Sequence, residues 1–168
     1  IIMENIDDNV SFAYRVSHNQ ERDQYKIFYK TNENIVDLLK PFNFNGKNIL
    51  TVMGSGDQVF HFLNTDAKNV DVYDKNILSK YYFYLRVWCI RYLNKYYLPA
   101  GFDNEFIREL LKIVEPLNIE EKNAYDFWNK YLNKVNNYQG YLIRYATNVY
   151  ENTIMNLINS EIKEREST

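Results

Sequence analysis

The chain has 168 residues, 46% of them apolar, with 20 Lys and Arg against 22 Asp and Glu for a formal charge of -2 at pH 7. That length supports one globular domain with a real core and leaves little room for two. The near balance of charge, without a Lys/Arg block, lacks the electrostatic footprint of a nucleic-acid binder. The longest apolar stretch, "YYFYLRVWCIRYL", is interrupted by Arg86 and Arg91 and falls short of the roughly 20 residues that span a bilayer.

The opening "IIMENIDD" has no basic n-region, apolar h-region or small-residue cleavage site, so the protein is expected to be cytoplasmic. Residues 1–24 are set apart as an N-terminal segment without a structural reading. Residues 25–168 are read as a single domain. In "ERDQYKIFYKTNENIVDLLKPF", Tyr25, Phe28, Tyr29, Ile35, Val36 and Leu39 recur at helical spacing before Pro41, which predicts one or two helices. Asn48 to Met53 is rich in Ile, Val and Thr between glycines and reads as a buried strand. Val59, Phe60, Phe62 and Leu63 continue as a short helix, and "KNVDVYD" follows as a second strand. From Leu78 to Tyr97 an apolar stripe through Tyr82, Leu85, Cys89, Tyr92, Leu93 and Tyr96 predicts a long amphipathic helix stopping at Pro99 and Gly101. Cys89 lies in that stripe as a buried, unreactive thiol. "DNEFIRELLKIVEPL" is a helix capped by Asp103 and ended by Pro116. "NIEEKNAYDFWNKYLNKV" is another, with Ala124, Phe127, Trp128, Tyr131 and Leu132 on one side. A last helix is expected through Leu142, Tyr145, Ala146, Val149, Thr153 and Leu157.

The order strand, glycine turn, helix, strand, helix is a βαβ unit, and a right-handed crossover makes its strands parallel neighbours. The turn "GSGD" then puts Gly54 and Gly56, which carry no side chain, at the carboxyl end of the first strand, beside a helix N-terminus that a ligand can approach. Asp74, 20 residues after Gly54, sits at the end of the second strand, where a carboxylate can accept both hydroxyl protons of a ribose. Together they argue for an adenosine-type ligand. Val59 stands where a dinucleotide fingerprint needs its third glycine, and no Gly-Lys-Ser/Thr follows, so NAD, FAD and a P-loop are disfavoured. Asp57 would repel a pyrophosphate but suits the ammonium of a methionine-like tail, which points to S-adenosylmethionine. The competing reading makes "GSGD" a plain strand-to-helix turn and Asp74 a solvated strand end or a helix cap.

These stretches, "KNILTVMGSGDQVFHFL" and then "VDVYDKNILSKYYFYLRV", resemble the bacterial family related to S-adenosylmethionine:diacylglycerol 3-amino-3-carboxypropyltransferase. Similarity extends to "FYKTNEN" upstream and "FWNKYL" downstream. It covers about Tyr25 to Val135, with the specific part in Asn48 to Val87. The resemblance implies an α/β, Rossmann-like class I methyltransferase-type fold, represented here by one βαβ unit among many helices. It also implies S-adenosylmethionine as cofactor. Gly54, Ser55, Gly56 and Asp57, with Gln58, would hold its amino-acid end and Asp74 its ribose, with Lys75 and Asn76 nearby. The sequence departs from the family at Ile77, where a proline is common, at Arg86 in place of lysine, and at Trp88 and Cys89 in place of small residues.

A class I fold needs about seven strands, and two are evident. Either the chain is the N-terminal part of a longer enzyme, the favoured explanation, or it is a degenerate remnant, or "GYLIRYATNVY" is a strand. Of the remaining polar residues, His61 reads as a packing or surface residue, His18 as part of a solvated loop, and Glu120 and Glu121 as first-turn helix acids. No metal site and no catalytic residue is assigned. The function expected is a transferase moving a methyl or 3-amino-3-carboxypropyl group to an acceptor, a small molecule or a lipid. The alternative is a non-catalytic ligand-binding or helical interaction module. An exposed half-sheet would allow homodimerisation through its edge.

Overall fold

A computed structural model of the chain describes residues 4–99, 101–136 and 142–144. The protein is mixed α/β and helix-rich, with small parallel sheets. In chain order the elements are α1 (Ile6–Ser17), a 3-10 turn (Asp23–Tyr25), β1 (Ile27–Phe28), α2 (Ile35–Leu39), β2 (Asn48–Val52), α3 (Asp57–Leu63), β3 (Asn69–Tyr73), α4 (Ile77–Leu93), α5 (Asn104–Leu111), α6 (Ile119–Val135) and β4 (Ile143–Arg144).

The core is helical and aromatic. Helix α4 buries Leu78, Tyr81, Tyr82, Leu85, Trp88 and Cys89, at i, i+3, i+4 and i+7 spacing, against Ala124, Phe127, Trp128 and Tyr131 of α6. The Tyr81 and Phe127 rings stack at 4.1 Å between centroids, and the indole N–H of Trp128 donates to the Tyr81 carbonyl at 2.9 Å. Burial raises the Cys89 thiol to a pKa of about 11, which keeps it in the unreactive protonated form. Helices α5 and α6 begin where predicted, because Asp103 and Asn118 accept backbone N–H groups three residues on.

Helix α1, unread in the sequence, belongs to this core. Asn5 caps it, Asp7 and Asp8 fill its first turn, and Val10, Ala13 and Val16 are buried with α4 and α6. A cross-chain network seals the junction: Lys80 pairs with Glu4 and Glu120, and the Tyr81 hydroxyl donates to Glu4 at 2.8 Å.

Strands β2 and β3 pair in parallel, Asn48 opposite Asn69 through Val52 opposite Tyr73, with α3 as the crossover. Thr51 is buried on the α3 side, whereas Leu50 on the other face is 71% exposed. The predicted βαβ unit is therefore present, and it has no third strand among the described residues.

Several expectations need correction. Asn48 to Met53 is not a buried strand, since Thr51 alone among these residues is buried, and α5 ends at Leu111 rather than at Pro116. Tyr25 to Tyr29 is not helical: Tyr25 ends the 3-10 turn, and Ile27–Phe28 pairs in parallel with Ile143–Arg144, a ladder too short to leave a sequence pattern. Helix α4 stops at Leu93, well before Pro99, because Asn94 takes a left-handed conformation (φ 52°) that ends the helix. The last predicted helix cannot begin at Leu142, since the Leu142 carbonyl accepts from Ile27 and the next two residues are β4; its remainder lies outside the described residues.

Candidate functional site

The carboxyl ends of β2 and β3 converge on the glycine turn. The Met53 N–H donates to the Tyr73 carbonyl at 2.8 Å, which extends the ladder, and the Gly56 N–H then turns back onto the Met53 carbonyl at 2.8 Å. Gly54 (φ 50°) and Gly56 (φ 93°) both occupy the left-handed region. They differ in surroundings. A Cβ on Gly54 would meet nothing within 4 Å, whereas one on Gly56 would lie 3.1 Å from the Phe83 ring. Gly54 is thus open to approach, while Gly56 is where the turn packs on α4. Helix α3 beyond it has seven residues, starts from Gly56 and has no side-chain cap.

Asp74 lies beside the turn as predicted. Its Oδ2 accepts the Gly54 N–H at 3.0 Å and its Oδ1 accepts the Asn76 N–H at 2.9 Å. A carboxylate has about four acceptor positions, so two remain for a ligand. Asn76 has a structural role: it is buried, caps α4 through the Leu78 N–H, and donates to the Tyr25 carbonyl at 2.8 Å. Lys75 is exposed.

Asp57 is only 5% exposed, and the structure makes it the centre of a network that local sequence could not reveal. Oδ1 accepts from Arg86 Nη1 at 2.9 Å and from the Tyr97 hydroxyl at 2.8 Å; Oδ2 accepts from the Thr31 N–H at 2.7 Å and the Ser55 hydroxyl at 2.9 Å. Four donors fill its four positions, and Arg86, fully buried, matches its charge. The expectation that Asp57 takes a ligand ammonium is therefore corrected: the carboxylate is saturated from within. Arg86 also donates to the Ser55 and Tyr96 carbonyls, and its guanidinium carbon lies 4.5–4.8 Å from the ring centroids of Phe60, Tyr96 and Tyr97. Burial, then the hydrogen bond to Asp57, holds the Tyr97 phenol protonated well above its ordinary range.

Against the turn opens a cleft of about 470 Å³, within the size range of small-molecule sites. One wall is Val52 to Ser55 with Asp57 and Gln58, whose Oε1 is held by the Thr51 hydroxyl at 3.0 Å. The other is Phe28 and Lys30 to Glu33, the loop between β1 and α2, with Arg144 alongside. Asp74, Lys75, Asn76 and Gly56 do not line it. The sequence candidates thus form a turn with a cleft against it, and Asp74 on the β3 side of that turn. The second wall was missed as a site, although "FYKTNEN" had stood out as a shared stretch.

The other polar candidates lie elsewhere. His18 stacks on Tyr14 at the end of α1, and His61 on α3 contacts Phe62. Glu121 is in the first turn of α6 as read, yet it is 3% exposed and accepts from the Trp88 indole and from both terminal nitrogens of Arg91. Among the described residues no group of three His, Cys, Asp or Glu side chains could hold a metal, and no helix is long and apolar enough to cross a membrane. No protein-family profile, curated protein or solved structure matches the chain.

Proposed function

We propose that the chain carries the cofactor half-site of an S-adenosylmethionine-dependent transferase with a Rossmann-like, class I methyltransferase-type βαβ unit. The observation that carries this reading is the contact between the Gly54 N–H and the Asp74 carboxylate across the ends of two parallel strands. It juxtaposes an approachable backbone with a half-satisfied carboxylate, the pair that an adenosine ligand with a charged tail requires. Asp74 would accept from the ribose hydroxyls, and the Gly54–Ser55 backbone would face the tail in the cleft. The cofactor supplies an electrophilic carbon beside its sulfonium, so the chain's own contribution is positioning and water exclusion. Asp57 and Arg86 hold the turn in shape.

A second reading, a non-catalytic ligand-binding module derived from the same unit, draws support from the pairing of β2 and β3 without a third strand among the described residues. Calorimetric titration with S-adenosylmethionine and S-adenosylhomocysteine tests the common premise. Saturable binding, weakened by about 1–3 kcal/mol in Asp74→Ala but unchanged in Asp71→Asn on the exposed part of β3, is expected. A folded sample that binds neither ligand overturns both readings. Binding without transfer to any offered nucleophile favours the module.

A further inference from the structure

The saturation of Asp57 leaves a question for the proposed site: which groups meet the charged end of its ligand? The cleft is lined by two further carboxylate or ammonium side chains that have no ion-pair partner among the described residues, Lys30 and Glu33. Arg144 also lines it, but pairs with Asp23 at 2.6 Å. Lys30 immediately precedes Thr31 and Glu33 follows it by two residues; the Thr31 N–H is tied to Asp57 at 2.7 Å, while its hydroxyl accepts the Glu33 N–H at 3.1 Å. One bond therefore holds the loop against the glycine turn, and the other fixes the shape of the loop itself. A half-buried cation and an exposed anion, neither in an ion pair among the described residues and three positions apart on one wall, complement a zwitterion.

The geometry points to Lys30 and Glu33 as a recognition pair for a free α-amino-acid group, Lys30 taking its carboxylate and Glu33 its ammonium. This rests on the proposed function and identifies the side chains that read the tail of its ligand. Charge-assisted hydrogen bonds of this kind are worth roughly tenfold or more in affinity each.

The test compares two ligands that share the adenosine thioether and differ in the tail. S-adenosylhomocysteine carries the amino-acid group; 5'-methylthioadenosine lacks it. In calorimetry on the full chain, Lys30→Met and Glu33→Gln are each expected to weaken S-adenosylhomocysteine by about tenfold or more while changing 5'-methylthioadenosine less than about twofold. Circular dichroism melting of each variant checks that the fold is retained. Unchanged S-adenosylhomocysteine affinity in both variants, or an equal loss for both ligands, overturns the assignment and leaves the cofactor reading standing. Wild-type protein that binds neither ligand overturns the cofactor reading and the assignment with it.

Discussion

Replacing Arg86 with methionine isolates the interaction on which the turn depends. The change removes the hydrogen bonds to Asp57, Ser55 and Tyr96 and the cation held among three aromatic rings, while the methionine stem keeps much of the volume. Breaking one side of a buried ion pair costs about 3–5 kcal/mol, because the partner charge stays buried. Asp57 retains three donors, from Thr31, Ser55 and Tyr97, which places the loss towards the lower end. For a chain of this size that corresponds to a fall in Tm of roughly 6–20 °C. Urea unfolding followed by circular dichroism measures the difference, and Asp57→Asn with the double variant completes a cycle. The double variant should be more stable than the sum of the single losses predicts, by about 1–3 kcal/mol, since the orphaned charge is gone. Additivity within about 0.5 kcal/mol would refute the claim that Arg86 acts through Asp57.

Two further perturbations follow from the geometry. Gly56→Ala forces a Cβ to 3.1 Å from Phe83 at φ 93° and should lose about 2–4 kcal/mol in urea unfolding; Gly54→Ala, at φ 50° with open space, should lose only about 1–2 kcal/mol, and equal losses would refute the distinction. Burial alone would raise the Glu121 carboxyl, but the hydrogen bonds from Arg91 and Trp88 outweigh it and leave its pKa lowered. Its stabilisation is therefore present above the ordinary glutamate pKa of about 4.3 and lost as pH falls through the lowered folded value. The stability gap between the wild type and Glu121→Gln should be about 1–3 kcal/mol at neutral pH and close below about pH 4; a constant gap would refute the assignment.

Much of the site was legible because its signals are local. An apolar run, two glycines, a short apolar helix and a second run define β2, α3 and β3, and the spacing from Gly54 to Asp74 follows from one crossover. The caps of α5 and α6 act over three residues and can be read in the same way. What escaped depends on distance along the chain. Asp57 looks like an acid offered by a turn until Arg86, 29 residues on, and Tyr97, 40 residues on, close around it. Strand β1 exists through pairing with β4, more than 100 residues away, and two residues carry no period. Helix α1 had its cap and its i, i+3, i+6 stripe at Val10, Ala13 and Val16, signals that were present and unread.

The tie from Thr31 through Asp57 to Arg86 has an evolutionary consequence. The width of the cleft is fixed by a carboxylate whose other ligands come from the middle of α4 and the loop after it, so no member of the set can drift alone. A lineage that loses the acid at position 57 must also replace the cation at 86 with an apolar residue and release the phenol at 97. Related sequences, when aligned, should show these positions changing as a block, while residues such as Leu50 and Lys75 at the surface vary freely.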